Sequence, residues 1–322
     1  MKRLITVVML VVSALWALGA SAQMYPNRPI KLIVADSAGG APDQLGRLIT
    51  ERLSNNVNQP VVVDNRPGAG GALGAELVAK SAPDGYTLLL TTTAIYAILP
   101  NLRKNLPYDP VRDFVPITRI ATASNVLVVN NELPVKDIAE LVKLAKEKPG
   151  ALNYASAGVG TPAHLAGEML NLLADIKVVH VPYKGAAPAL ADVIAGNAQY
   201  IITSPLAAGA HMNGGRVRAL ATTGTQRNPS LPDLATIAET LPGYDITQTW
   251  GIVVPTGTPP EIVNKLSAEI VKVMNQPDVR EKVLATGATP VGDSPAQFEA
   301  FMTKERQRLG DVIAKRGIVL TD

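Results

Sequence analysis

The stretch Ile30–Leu53, IKLIVADSAGGAPDQLGRLITERL, constrains the fold more than any other part of the chain. Ile30, Leu32, Ile33 and Val34 form a short apolar run suited to a strand covered on both faces. Leu45, Leu48, Ile49 and Leu53 then recur at helical spacing, with Asp43 in the first turn, where the helix dipole favours a carboxylate. Between strand and helix, Ser37-Ala38-Gly39-Gly40 can turn backbone N–H groups toward a ligand. No lysine follows the glycines, so a nucleotide P-loop is excluded. The pattern predicts a small-anion site that contributes no catalytic side chain.

Strand and helix signals alternate along the rest of the chain. Val61–Asp64 reads as a strand, and Asn65–Gly71 turns into a helix carrying Leu73, Leu77 and Val78. Thr87–Thr91 is the next strand, and Ile117–Val129 is an extended apolar segment. Val135–Lys146 shows Ile138, Leu141, Val142 and Ala145 on one helical face. Leu152–Ala155 leads to Ser156–Pro162, where Thr161 suits an N-cap and Pro162 a first turn; Leu165, Met169, Leu172 and Leu173 give the helix its stripe. Val178–Val181, Tyr200–Thr203 and Val217–Thr222 are further strands. Gln248–Val254 is another, followed by helices opened by capping boxes at Thr258–Glu261 and Ser294–Gln297. Repeated strand–helix units predict an α/β chain with parallel sheets, in two Rossmann-like domains. The expected division is 23–124 with 251–322 as one domain and 125–250 as the other.

The start of the chain predicts export. Met1-Lys2-Arg3 is basic, Leu4–Leu18 is unbroken apolar sequence, and Ala20-Ser21-Ala22 fits a cleavage site, so 1–22 reads as a signal peptide cut after Ala22. That leaves 322 − 22 = 300 residues, ample for a core without disulfides, and the chain has no cysteine. Removing Lys2 and Arg3 lowers the net charge from +3 to +1, which gives no support for nucleic acid as a partner. Three scattered histidines and no cysteine give no metal-ligand spacing, and no cofactor is expected.

Three readings of the glycine loops compete. Gly158–Ala163 satisfies G-x-G-x-x-A, yet the next strand, Lys177–Val181, ends without the acidic residue a dinucleotide site needs. Ala35–Gly39 is one glycine short of a nucleophile elbow, which would make the protein a secreted serine hydrolase using Ser37. A serine in a small-residue turn is more often a backbone-satisfying turn residue than a nucleophile. The third reading is a receptor, with Gly-, Ser- and Thr-rich loops from two halves of the chain holding an anion across a cleft by N–H groups, hydroxyls and helix N-termini. It accounts for export, two domains and the lack of a catalytic constellation together.

The chain resembles the receptor proteins of the tripartite tricarboxylate transporters, the Bug-type periplasmic receptors. The matching segments are 25–34 (YPNRPIKLIV), 38–43 (AGGAPD), 61–90, 105–118 (NLPYDPVRDFVPIT), 154–170, 181–185 (VPYKG), and Trp250-Gly251 with PTGTPP at 255–260. They cover essentially everything after the leader. The resemblance implies a Venus-flytrap fold of the periplasmic binding protein type II kind, a monomer, and delivery of a small organic acid to membrane permease subunits. Carried over by position, the ligand loops comprise Asp36, Ser37, Ala38, Gly39, Gly40 and Asp43, then Thr91 and Thr92. Ser156, Gly158, Gly160, Thr161 and His164 form the next loop, and Tyr183, Thr203 and Ser204 complete the set. Arg66 is expected to brace its loop and Lys184 to sit on the cleft rim; for His164 a helix-cap role and a ligand contact stand equal. Asp36 is a departure, since similar proteins carry an aromatic residue there. An ionised carboxylate at that position disfavours di- and tricarboxylates and suits a ligand bearing an amino or other donor group.

Overall fold

The computed structural model describes residues 25–183, 185–316 and 318; the expected leader 1–22 and Lys184 lie outside them. Parallel strands β1 (Ile30–Val34), β2 (Val61–Asn65) and β3 (Thr87–Thr92) alternate with helices α1 (Ala41–Val57) and α2 (Ala72–Ala79). A π turn at Ala94–Ile98 leads through α3 (Leu99–Leu102) to β4 (Phe114–Ser124). The chain then builds a second sheet from β5 (Val126–Asn130), β6 (Asn153–Ser156), β7 (Val179–Pro182), β8 (Tyr200–Thr203) and β9 (Val217–Thr222). Its helices are α4 (Ile138–Glu147), α5 (Pro162–Ala174), α6 (Ala186–Ile194), α7 (Pro205–Asn213) and α8 (Ile237–Thr240). β10 (Thr247–Pro255) returns to the first sheet, and α9 (Pro260–Met274), α10 (Pro277–Ala285), β11 (Thr289–Pro290) and α11 (Pro295–Arg316) complete it.

The first sheet has the order β11-β4-β10-β3-β1-β2 and the second β7-β6-β8-β5-β9. β1 shows why such strands read as continuous apolar runs. Ile30, Leu32 and Val34 pack with Leu45, Ile49 and Leu53 of α1, while Ile33 packs into the core on the opposite face. That opposite face is covered by α11, whose Phe298 lies directly over Gly251. A Cβ at Gly251 would meet the Phe298 ring at 2.2 Å, so only glycine lets the helix approach this closely.

The extended segment 117–129 is broken at Asn125, where the chain passes from β4 of one sheet to β5 of the other. The way back lies just before Thr247, because Thr247–Trp250 already pair with β4 and Trp250 packs in the first sheet's core. Both passages are held from outside. The Asn228 amide donates to Ser124 Oγ and to Gly287 O, each at 3.2 Å. Tyr244 Oη donates to Ala166 O of α5 at 2.9 Å, and Arg308 of α11 donates to the Asp245 carbonyl.

Two local expectations are corrected: Leu173, expected in the stripe of α5, is 38% exposed, and one capping box is absent; packing also selects the buried face of α2. Leu73 and Leu77 point outward, 53% and 37% exposed, and α2 instead buries Ala72, Ala75 and Val78. The small residues win because Gly74 sits against Ala35, where a Cβ would come within 2.6 Å. At Thr258 the capping box does not form, since its hydroxyl donates to Pro255 O and Pro259 becomes the cap. The second box does form: the Ser294 and Gln297 side chains each accept the other's backbone N–H.

Candidate ligand-binding site

Strand directions place the loops. β1, β2 and β3 are parallel, β10 is antiparallel to β3, and β4 to β10, so β4 ends at Ser124 on the same edge where β1 and β3 end. In the second sheet β6, β7 and β8 run parallel, and β5 starts opposite Thr203, the end of β8. The connection 124–126 therefore joins the carboxyl edge of one sheet to the carboxyl edge of the other. Ligands of open α/β sheets bind at these edges.

In the first domain the loop after β1 is braced from below. Asp43, 3% exposed, accepts Gly39 N–H at 2.9 Å, the Asn65 amide at 3.0 Å and Arg47 Nε at 3.0 Å. Burial pushes the Asp43 carboxyl up, but the bonds from Arg47, Gly39 and Asn65 overcome this and hold it below the usual range. Gly39 takes φ +84°, a conformation that suits glycine alone in so tight a turn. Asp43 is thus committed beneath the loop, and α1 has no side-chain cap. The N–H groups of Ala38, Ala41 and Asp43 find no acceptor among the described residues, which leaves a donor-rich helix N-terminus at the edge of the sheet.

Asp36 and Ser37 are exposed beside it. Asp36 Oδ1 accepts the Ser37 N–H at 2.6 Å. Although Asp36 reaches solvent, the surrounding loop desolvates its carboxyl in part and pushes it up from its ordinary range; the Ser37 bond opposes this, and the Asp43 charge adds to it. Ser37 Oγ makes no hydrogen bond among the described residues, and the described histidines lie in the second domain. Arg66 pairs with Asp64 at 3.0 Å. Thr91 is buried and Thr92 half-buried at the end of β3, while Thr93 Oγ accepts the Thr249 N–H at 2.8 Å and ties β3 to β10.

In the second domain the side chains again turn inward. Thr161 Oγ donates to Gly158 O at 2.8 Å and accepts His164 N–H at 3.3 Å, capping α5. His164, 6% exposed, accepts Gly160 N–H on Nδ1 at 3.3 Å. Ser156 is wholly buried, with its Oγ 2.6 Å from His180 Nε2. Tyr183 Oη donates to Asp192, and Ser204 Oγ caps α7 by accepting Ala207 N–H at 3.2 Å. Thr203 is buried at the end of β8. Gly185 opens α6 without a side-chain cap. The Ser156, Thr161, Tyr183 and Ser204 hydroxyls and His164 Nδ1 thus brace loops, while the unspent donors are backbone N–H groups and the Ser37 hydroxyl. His180, Asn65 and Arg47 were not foreseen as parts of the site. Asn65 ends the second strand at the predicted Asn65–Gly71 turn, the one hint available, whereas His180 depends on a strand register that its sequence does not display.

The Tripartite tricarboxylate transporter family receptor model, TctC, matches residues 45–318. The chain belongs to this family. Protein BugT of Bordetella pertussis is 35% identical, covering 99% of both chains. R. palustris Rpa4515 with adipate superposes with TM-score 0.85 at 35% identity, over 92% of this chain and 99% of that one. MatC from Rhodopseudomonas palustris with bound malate gives TM-score 0.80 at 31% identity, over 90% and 100%. The two α/β domains have the fold of periplasmic solute-binding proteins of type II. The TctC proteins are periplasmic receptors for small carboxylates, and the family and its solved neighbours are binding proteins.

Proposed function

We propose that this chain is an exported solute receptor that closes its two domains on a small carboxylate and hands it to the membrane subunits of a tripartite tricarboxylate transporter. The observation that carries this reading is the pair of glycine loops with unspent N–H groups, one on each of the two carboxyl edges that the 124–126 connection joins. The leader would be cut after Ala22. The domains divide at 124–126 and just before Thr247, and these passages absorb the closing rotation. Ser37–Gly40 and the Ser156–His164 loop converge on the ligand, with Thr92, Gly158, Gly160 and Tyr183 around it. Closure expels water and strengthens each hydrogen bond to the anion, so ligand stabilises the closed state through contacts the open state lacks.

Thermal-shift and scattering measurements with malate, adipate and their amino-substituted counterparts test this. A binding ligand should raise Tm by mass action without being consumed, and lower the radius of gyration. Turnover abolished by Ser37→Ala would establish the hydrolase instead, and an unchanged radius of gyration at saturation would exclude hinge closure.

Asp36 sets the preference within the class. Its carboxylate beside the α1 N-terminus offsets part of the favourable potential there and welcomes a ligand ammonium or hydroxyl donor. Asp36→Asn should tighten a plain dicarboxylate by about tenfold or more, since one charge ~5–10 Å away at an effective dielectric of about 20 is worth about 2–3 kcal/mol before solvent screening, and weaken an amino-substituted one. Calorimetric titration of both ligands checks this, and equal shifts for the two would rule out Asp36 as a discriminator.

A further inference from the structure

We propose that His164 and His180 are positioning residues of the second-domain loop, absorbing its inner hydrogen bonds and leaving the Ala157 and Val159 N–H groups for a ligand carboxylate. This rests on the receptor reading only for what the loop binds; the bracing itself is independent of it.

Counting protons assigns the His164 ring. Gly160 N–H donates to His164 Nδ1 at 3.3 Å, so that nitrogen is bare and the ring proton sits on Nε2. Ser156 Oγ has one proton and two acceptor sites. It accepts Gly158 N–H at 3.1 Å and joins His180 Nε2 at 2.6 Å, with Gly158 O also within reach at 3.1 Å. The buried Ser156 hydroxyl is thus partnered on both its donor and its acceptor side.

The rings are stacked with centroids 4.1 Å apart, and Tyr154 stacks on His180 at 4.8 Å. Tyr154 is itself held by Glu168 at 2.9 Å. Glu168 from α5, Tyr154 from β6 and the two histidines are the titratable groups gathered here. Burial lowers the His164 pKa against the Glu168 charge, and burial together with His164 lowers that of His180 to about 3. Both rings are accordingly held neutral near pH 7, each carrying a single proton. With Gly158 and Gly160 amides spent inward, the alternate amides of Ala157 and Val159 have no acceptor among the described residues. Two N–H groups two residues apart suit the two oxygens of one carboxylate.

The test begins with the unaltered, ligand-free protein. Long-range proton–nitrogen correlation spectra at pH 7.5 should show the His164 ring in the Nε2–H form; an Nδ1–H form for His164 overturns the proposal. His164→Leu should speed hydrogen exchange of the Gly160 amide by about tenfold or more, and His164→Asn, whose Oδ1 can accept, should restore protection. Unchanged exchange in His164→Leu overturns it as well, and rescue by asparagine separates positioning from simple packing. Malate and adipate serve as probes of the ligand side. If neither binds the unaltered protein, the carboxylate reading fails while the His164 tautomer and exchange still decide the bracing.

Discussion

Asp43→Ala is expected to lower stability by about 2–4 kcal/mol and to abolish ligand binding at the first-domain loop. The substitution strands the Gly39 N–H and the Asn65 amide, both bonded to the buried carboxylate, and each orphaned polar group costs about 1–3 kcal/mol. The Arg47 partner contributes little to this sum, because its side chain is 57% exposed and solvent screens the pair. Losing the brace also frees Gly39 from its left-handed turn, so the N–H groups of Ala38 and Ala41 no longer present a fixed array. Asp43→Asn keeps one acceptor oxygen and should lose about half as much. Because the native carboxyl is held below its usual range, the brace is present above about pH 4 and fades as pH falls further. Denaturant unfolding at neutral pH reads the cost directly. A loss under 0.5 kcal/mol, the scale of an ordinary surface substitution (about ±0.5), would mean that the loop is held by something other than Asp43.

The second large effect is acid sensitivity from the stacked histidines. His180 is held at about 3 in the native state, whereas a free histidine titrates near 6.5. Between those values the unfolded chain binds a proton that the folded protein refuses. Stability is therefore full above about pH 6.5 and declines as pH is lowered. At pH 5 the expected loss from His180 alone is about 1–2 kcal/mol once solvent screening of the half-buried ring is allowed for, and His164, lowered by burial, adds in the same direction. The carboxylates with lowered pKa values, Asp43, Asp113, Asp192 and Glu239, act mainly below about pH 4, and Asp36, raised, acts in the opposite direction, so a decline from about pH 7 to 5 points to the imidazoles. Unfolding curves at pH 7.5 and 5 should show this decline, and His180→Gln should flatten it. Parallel declines in both proteins would assign the acid sensitivity elsewhere.

Much of this molecule was legible before any coordinates. The run Ile30–Val34, the glycine loop and the stripe of α1 appear where the sequence places them, because a period of two or 3.6 with a glycine between is a local property. The Ser294 box and the Thr161 cap were equally local, each a side chain meeting a backbone amide three residues away. Ordered matches along the whole chain supplied the family, and with it two domains.

What the sequence could not determine is which way the side chains at the loops turn. Ser156, Thr161 and His164 read as ligand groups, yet the two hydroxyls and His164 Nδ1 are spent inside the loop that they shape. The decision falls to His180, which reaches Ser156 only because β6 and β7 pair with Tyr154 opposite His180. Parallel register is a non-local quantity, set by the packing of helices over the sheet and written in no single strand. The exposure of Leu73 and Leu77 has the same origin. A helix apolar on every side has no preferred face of its own, so the close approach of Gly74 to Ala35 decides which side is buried. Sequence by itself determined the elements, their order and the donor-rich loops. Tertiary structure alone decided which groups remain free to meet a ligand, since a hydrogen bond already made within the fold is no longer available outside it.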